Sequence, residues 1–249
     1  MSTPEDLRPR KATFLTSWRR GLKKARKNWF LAFLIDFIVI VGTALVLSVA
    51  IKAFFIRSFY IPSGSMMDTL QINDRIIVNV LVPEVIPLNH GDVVVFQDPG
   101  GWLGAAPTVE KSTIQNISDF VLGTFGITAP DSAEHLVKRV IGLPGDTVTC
   151  CDSQGRLLVN GVPLDEPYLR SGSIPSEMEF TVTVPADSYW VMGDNRQNST
   201  DSRYHQDLPS GGFVNRSFVV GRAFVISWPF EHWIWLDNYP ETFSDVPKP

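Results

Sequence analysis

The longest apolar segment of the chain runs from Trp29 to Ile51, a stretch of 23 residues in which Asp36 is the one charged side chain. About 20 consecutive apolar residues form a helix that spans the hydrocarbon core of a bilayer. An alternative register over residues 37–56 has a similar length and composition. Both registers predict one transmembrane helix within residues 29–56, so the remainder of the 249-residue chain must fold outside the bilayer.

Charge is distributed unevenly on the two sides of this segment. Residues 1–28 contain nine Lys or Arg and two Asp or Glu, whereas residues 29–249 contain 13 basic and 24 acidic residues. Because basic residues concentrate on the cytoplasmic side of membrane helices, we expect a cytoplasmic N-terminus and an extracytoplasmic body at the plasma membrane. The acidic body does not fit nucleic-acid binding, which requires basic surfaces.

Two structures are open for the basic arm at residues 1–28. Apolar residues recur near helical spacing between its Lys and Arg side chains, at Phe14, Trp18, Leu22, Ala25 and Trp29. This pattern is typical of an amphipathic helix that lies on the inner leaflet. An unstructured basic arm has the same composition, and the sequence does not distinguish the two.

A removable signal peptide is the alternative to a retained anchor, because Ser48-Val49-Ala50 resembles a cleavage site. The apolar core of a signal peptide has about 7–15 residues, and the segment here is longer. No polar stretch follows it in the sequence. We therefore favour a retained membrane anchor.

Beyond residue 56 the sequence changes to short β-branched runs that are separated by turn residues. The predicted strands cover residues 75–82, 92–96, 136–141, 147–150, 156–159, 162–164, 180–184, 189–192 and 223–228. Asn160-Gly161 is a strong signal for a tight hairpin between two of them. Helical periodicity is weak, so we predict a mainly β domain over residues 57–240 that is built from hairpins.

Three segments of the body differ from this pattern. Residues 97–134 form a long insertion, and long insertions are usually surface excursions or lids. The segment 228–236 is too short and too polar to span a membrane, and its tryptophans belong either to a core or to an interfacial belt. We expect most of these tryptophans in the core, and we expect residues 241–249 to be a frayed tail.

The two cysteines, Cys150 and Cys151, are adjacent in the sequence. Their spacing fits neither a zinc site nor a disulfide framework. Two states are open, namely a pair of partly buried thiols and a vicinal disulfide that forms in an oxidising compartment.

Residues 59–70 place Ser63 and Ser65 in a turn close behind the apolar segment. A serine hydroxyl is a weak nucleophile unless a neighbouring base takes its proton. Histidine is the usual base, and the chain has four, at His90, His135, His205 and His232. A histidine triad stays open, although the Gly-x-Ser-x-Gly and Ser-x-x-Lys signatures of other serine enzymes are absent.

Lysine is the other candidate for the base. Strand alternation puts Leu136, Lys138 and Val140 on one face and Arg139 on the other, so Lys138 emerges among apolar neighbours. Burial favours the neutral form of an amine whose ordinary pKa is about 10.4. The structural alternative is a lysine whose charged end reaches solvent or pairs with a carboxylate.

The segment Gly193–Arg203 is rich in Asp and Asn. It lacks the central glycine and the terminal glutamate of a calcium-binding EF-hand loop, so we expect no metal there. A loop whose side chains hydrogen-bond to its own backbone is the structural alternative.

In four ordered segments the chain resembles bacterial type I signal peptidases, which are membrane-anchored Ser/Lys proteases. The segments are Ile61-Pro-Ser-Gly-Ser-Met66, His90-Gly-Asp-Val-Val-Val-Phe96, Lys138-Arg-Val-Ile-Gly-Leu-Pro-Gly-Asp146 and Gly193–Arg203. Their order behind one N-terminal span is that of the family. The resemblance implies a signal-peptidase-like β-rich catalytic domain that removes N-terminal signal peptides from exported preproteins through an acyl-enzyme.

The resemblance also assigns roles by position. It implies that Ser65 is the nucleophile and Lys138 the general base. It implies that Ser63 donates a hydrogen bond to the oxyanion beside the Ser65 backbone N–H, and that Ser199 orients the lysine amine. A supporting charge network would consist of Asp194, Arg139, Asp201 and Arg203. No cofactor or metal is implied.

The implied partners are preprotein signal peptides, the lipid bilayer and the secretion machinery. The preproteins would carry small residues at the first and third positions before the cut. One departure is Asp68, where family members often have Pro, and we expect it to affect the shape of the turn rather than the chemistry. Two alternatives remain, a self-cleaving Ser/Lys protease similar to the SOS-response repressors and an inactive membrane-anchored assembly factor with the same fold.

Overall fold

The structure is a computed structural model that describes residues 29–103 and 135–247. The chain divides into two units, residues 1–50 and residues 51–249. The basic arm expected at residues 1–28, with its proposed amphipathic helix, lies outside the described residues. So does most of the insertion expected at residues 97–134.

The first described element is the helix α1, Trp29–Phe54. Its part Trp29–Val49 is long and apolar enough to cross a membrane. The Thr43 hydroxyl donates to the carbonyls of Val39 and Ile40, so the helix itself satisfies this polar side chain. Internal satisfaction of polar groups is what a hydrocarbon environment requires. The helix contains nearly all of both registers that the sequence offered.

Strands make up most of the second unit. In the described part of the chain they are β1 (Ile56–Tyr60), β2 (Arg75–Asn79), β3 (Val93–Gln97), β4 (His135–Gly142), β5 (Thr147–Cys150), β6 (Leu157–Val159), β7 (Val162–Pro163), β8 (Phe180–Thr183), β9 (Ser188–Met192), β10 (Val214–Asn215), β11 (Val219–Trp228) and β12 (Ile234–Trp235). Short 3₁₀ turns lie at Arg196–Asn198, Ser202–Tyr204, Arg216–Phe218 and Phe230–His232.

The strands form two antiparallel sheets. The larger sheet has the order β1-β2-β11-β3-β4-β9-β10, and β12 pairs with β11. The smaller sheet has the order β7-β6-β5-β8. The interior position of β4 places Lys138 opposite Val94 of β3, and Arg139 opposite Met192 of β9. From Lys138 to Gly142 every residue of β4 is buried, because neighbouring strands and the cores on its two faces cover it.

The predicted mainly β fold is confirmed. The sequence did not predict β1, which follows α1 in the chain, or the two-residue strands β10 and β12. The strand predicted at residues 75–82 ends earlier, at Asn79, where the chain enters turns. Of the two states open for the cysteines, the disulfide between Cys150 and Cys151 is the one present.

The expectation that most tryptophans of residues 228–236 are buried is wrong. Trp228, Trp233 and Trp235 are 49, 52 and 61% exposed. The cause is the position of β12, a two-residue strand that pairs with the end of β11. A short strand at the end of a sheet brings little other structure that could cover large aromatic rings.

The frayed tail expected at residues 241–249 is also wrong for the part that the structure describes. Phe243 and Val246 are 7 and 6% exposed and belong to the apolar core of the smaller sheet. The Phe243 ring stacks on His90, with ring centroids 5.2 Å apart. Two apolar side chains three residues apart are enough to fix this segment to the domain.

We predict that Phe243→Ala destabilises the second unit by about 3–5 kcal/mol, the usual cost of removing a buried aromatic side chain. Urea denaturation of the detergent-solubilised chain measures this difference. The matched control is Phe230→Ala, because Phe230 is 72% exposed and its removal should change stability by less than about 0.5 kcal/mol. Equal effects of the two substitutions would contradict the packing described for the C-terminal segment.

Candidate active site

Ser65 lies in the turn that connects β1 to β2. Two backbone hydrogen bonds close the base of this connection, from Ile61 N–H to the Asp74 carbonyl and from Asn73 N–H to the Ile61 carbonyl, both 2.9 Å. Met66 and Leu70 point into the core and are buried. The turn is therefore anchored on both sides of the serine.

The structure brings the Lys138 amine to the Ser65 hydroxyl. The Nζ atom of Lys138 lies 2.7 Å from Ser65 Oγ and 3.1 Å from the carbonyl oxygen of Val137. Lys138 is 4% exposed and Ser65 is 9% exposed. Seventy-three residues separate the two in the chain, and the fold alone joins them.

Burial lowers the pKa of the Lys138 amine to about 8. The carboxylates of Asp201 and Asp194 act in the opposite direction, and the guanidinium of Arg203 adds to the lowering. Near pH 8 about half of the molecules therefore carry a neutral amine with a free electron pair. A neutral amine at hydrogen-bond distance can accept the proton of a serine hydroxyl.

The histidines take other partners. Three bond to acidic residues, His90 to the Asp146 carboxylate, His232 to the Asp74 carboxylate and His205 to the Asp201 backbone carbonyl. His135 lies against Phe59, with ring centroids 5.1 Å apart. These contacts favour the lysine over the histidine alternative for the base.

A small cavity of about 140 Å³ opens beside the two residues. Its lining is mainly apolar and includes Phe59, Tyr60, Ile61, Pro62, Ser63, Ser65, Met66, Leu103, His135, Leu136, Val137 and Lys138. The exposed Ser63 thus lines the same cavity as Ser65. A cavity of this size and lining has room for an apolar side chain.

A larger cavity of about 800 Å³ lies elsewhere, between residues 164–169 and residues 237–242. Its lining contains neither Ser65 nor Lys138. Size alone does not identify the site, and we place the candidate site where Ser65 and Lys138 meet.

A buried ion pair joins β4 to the segment after β9. Arg139 donates two hydrogen bonds to Asp194, at 2.9 and 2.7 Å, and also bonds to the Gly91 and Asp237 carbonyls. Asp194 in turn accepts a bond of 2.5 Å from the Thr69 hydroxyl in the serine turn. The pair therefore links β4, which carries Lys138, to the turn that carries Ser65.

A second buried ion pair lies within the segment Gly193–Arg203. Arg203 donates to both carboxylate oxygens of Asp201, at 2.8 and 2.9 Å. Burial by itself would raise the pKa of Asp201, but the hydrogen bond and charge of Arg203 hold it below its ordinary value. The Ser199 hydroxyl donates to the same carboxylate at 2.8 Å, and its proposed orientation of the Lys138 amine stays a prediction.

Sequence reasoning missed two sets of contacts that the segment after β9 makes. Asn195 donates to the Ser65 carbonyl through its backbone and to the Gly64 carbonyl through its side chain. Glu166 forms a buried pair with Arg196. Asn195 lies inside the segment Gly193–Arg203, which the sequence singled out. Its hydrogen bonds to the Ser65 and Gly64 carbonyls were not predicted. For Glu166 the sequence carries no comparable signal.

The comparisons with known proteins agree with the motifs. The family model described as signal peptidase, peptidase S26, matches residues 34–228, which include Ser65 and Lys138. A signal peptidase I from Leptolyngbya laminosa is 39% identical over 197 residues, covering 79% of this chain and 80% of the relative.

Two further relatives come from other bacterial groups. A probable signal peptidase I from Mycobacterium leprae is 36% identical over 229 residues, covering 80% of this chain and 77% of the relative. A signal peptidase I from Bacillus amyloliquefaciens is 31% identical over 216 residues, covering 84% of this chain and 91% of the relative.

We predict that Lys138→Met stabilises the folded domain at pH 7. The amine pKa falls from its ordinary 10.5 to about 8 on folding, so below pH 8 the buried charge costs about 3 kcal/mol. Methionine removes this cost and loses two hydrogen bonds of about 1 kcal/mol each, which leaves a gain of about 1 kcal/mol.

Urea denaturation at several pH values tests this prediction. The unfolded wild type binds more protons than the folded one between pH 8 and 10.5, so wild-type stability rises with pH in that interval and the advantage of the variant disappears. Lys138→Arg is the control, because its permanent charge should destabilise the domain. A methionine variant that is no more stable than the wild type at pH 7 would contradict the proposed cost.

Proposed function

The chain belongs to the signal peptidase family, peptidase S26, as its four motifs predicted, and we propose that it removes signal peptides with Ser65 as nucleophile and Lys138 as general base. It is a signal peptidase I enzyme, a hydrolase of peptide bonds. The observation that carries the mechanism is the 2.7 Å contact between two buried groups, a serine hydroxyl and an amine with a pKa of about 8.

Acylation begins with attack of Ser65 Oγ on the carbonyl carbon of the bond to be cut. The hydroxyl proton passes to the Lys138 Nζ atom along the existing hydrogen bond. The carbonyl oxygen becomes an oxyanion, which accepts hydrogen bonds from the Ser65 backbone N–H and from the Ser63 hydroxyl. The position of Ser63 on the wall of the same cavity supports this role.

The Lys138 ammonium then gives its proton to the leaving amine, and the carbon–nitrogen bond breaks. The mature chain departs, and the signal peptide stays attached to Ser65 as an ester. The neutral amine next takes a proton from water, whose oxygen attacks the ester carbonyl carbon. The bond from that carbon to Ser65 Oγ then breaks, Lys138 returns the proton to Oγ, and the signal peptide leaves with a free carboxyl group. The same lysine serves both half-reactions because each returns it to the neutral form.

The small cavity supports the substrate proposal. A volume of about 140 Å³ with mainly apolar walls has room for an apolar side chain next to the scissile bond. Preproteins with small residues at the first and third positions before the cut, which the resemblance implies as substrates, are compatible with this space. The substrate would lie extended along a strand edge, because main-chain hydrogen bonds then fix its register.

We propose that α1 anchors the enzyme in the plasma membrane, with residues 1–28 in the cytoplasm and the second unit outside. The apolar helix and the family support a membrane-anchored protein, and the charge asymmetry supports this orientation. The exposed aromatic residues of the second unit fit the same proposal, since tryptophan prefers the membrane interface. They are Trp228, Phe230, Trp233 and Trp235.

We predict that Ser65→Ala and Lys138→Ala each lower kcat/KM for a preprotein by about 10⁴-fold or more, because nucleophile and base act as a unit. Cleavage by the purified full chain in detergent is the measurement. In the wild type kcat/KM should rise with pH through a pKa of about 8, since the protonated amine cannot act as the base.

Ser153→Ala is the matched control, because Ser153 lies exposed in a turn and should keep wild-type activity. Substantial activity in Ser65→Ala or Lys138→Ala would overturn the assigned roles. Cleavage of the chain itself without cleavage of an added preprotein would instead favour the self-cleaving alternative. Failure of the folded wild type to react with a serine-directed acylating probe would favour the inactive assembly factor.

A further inference from the structure

Asn195 makes two hydrogen bonds to the nucleophile turn that the mechanism above does not use. Its backbone N–H donates to the Ser65 carbonyl at 3.1 Å, and its Nδ2 atom donates to the Gly64 carbonyl at 2.9 Å. The side chain is buried. One residue therefore holds the carbonyl groups of two consecutive residues, the nucleophile and the glycine before it.

The bond to Gly64 has a consequence for the other side of the same peptide unit. The Gly64–Ser65 peptide is not among the cis bonds of the described chain. In a planar trans peptide the C=O of one residue and the N–H of the next point in opposite directions. A donor that holds the Gly64 oxygen thus also fixes the direction of the Ser65 N–H, away from Asn195.

The peptide plane between Gly64 and Ser65 needs such a restraint because the residue before it is a glycine. The backbone of Gly64 has wide conformational freedom because it has no Cβ, so the peptide plane after it can rotate at little cost. The Met67 N–H also donates to the Gly64 carbonyl, at 3.2 Å, but Met67 belongs to the same turn and moves with it. Asn195 belongs to a separate segment, which Asp201 and Arg203 hold within the domain.

We propose that Asn195 is a positioning residue whose side-chain amide aims the Ser65 N–H at the oxyanion. The inference rests on the proposed function, in which that N–H stabilises the charge that develops on the substrate carbonyl. An oxyanion donor acts in the transition state, so its misalignment lowers kcat and leaves substrate binding nearly unchanged.

The test is steady-state cleavage of a preprotein by Asn195→Ala across a pH series. Removal of an entire oxyanion donor lowers kcat about 100- to 1000-fold. Misalignment of a donor that remains present should lower kcat by about 10- to 100-fold, with KM within about twofold of the wild type. The acid limb should keep its pKa of about 8, because burial and the charges of Asp201, Asp194 and Arg203 determine the Lys138 pKa.

Two further variants sharpen the test. Asn195→Leu keeps the approximate shape of the side chain and removes the donor. It should therefore show the same fall in kcat, and it is the variant to measure if Asn195→Ala does not fold. Gln197→Ala is the matched control, because this exposed amide in the same loop bonds to the Ile174 carbonyl and not to the turn. It should keep the wild-type kcat.

The possible outcomes separate this inference from the proposed function. A wild-type kcat in Asn195→Ala and Asn195→Leu overturns the inference while Ser65→Ala remains inactive. A fall in kcat that comes with a shifted pKa of the acid limb, or with a raised KM, also overturns it. Asn195 would then act on the Lys138 amine or on substrate binding. Loss of folded protein in both Asn195 variants makes the residue structural and overturns it too. Activity in Ser65→Ala overturns the proposed function itself.

Discussion

The proposed active site depends on a buried amine whose pKa is lowered to about 8 and which touches a serine hydroxyl. Lys138 reaches Ser65 at 2.7 Å only because β4 lies inside the larger sheet and is buried along most of its length. Below pH 8 the buried ammonium costs about 3 kcal/mol, which the packing of the surrounding strands must offset. A lysine base therefore requires a whole folded domain, and a short motif could not supply it.

The carboxylates next to the lysine work against this arrangement. Asp201 and Asp194 each raise the pKa of Lys138, and unpaired they would favour the protonated amine more strongly. Arg203 and Arg139 bind them through two hydrogen bonds each, and Arg203 itself lowers the lysine pKa. Buried ion pairs add little net stability compared with apolar packing. Their contribution here is electrostatic, because the guanidinium groups offset the negative charge of the two carboxylates near the Lys138 amine.

The strands and turns that depend on neighbouring residues were predicted from local sequence patterns. The β-branched run around Lys138 became β4, and Asn160-Gly161 connects β6 to β7 as the hairpin signal predicted. Composition could not show that Trp228, Trp233 and Trp235 are exposed. The burial of these side chains depends on whether another strand covers them, which composition does not determine. The bond from Asn195 to Gly64 spans 131 residues of the chain, so no local pattern contains it.

The segment after β9 determines how the other two parts of the site meet. A side chain at Gly193 would overlap the Ser199 hydroxyl and the Ser65 carbonyl, so the backbone here lies directly against the turn that carries Ser65. Asp194 then bonds to both Thr69 in that turn and Arg139 on β4. Because this segment contacts both elements, the distance between hydroxyl and amine depends on its backbone. Its glycine and acidic residues are thus required by the geometry of two other elements, in addition to its own fold.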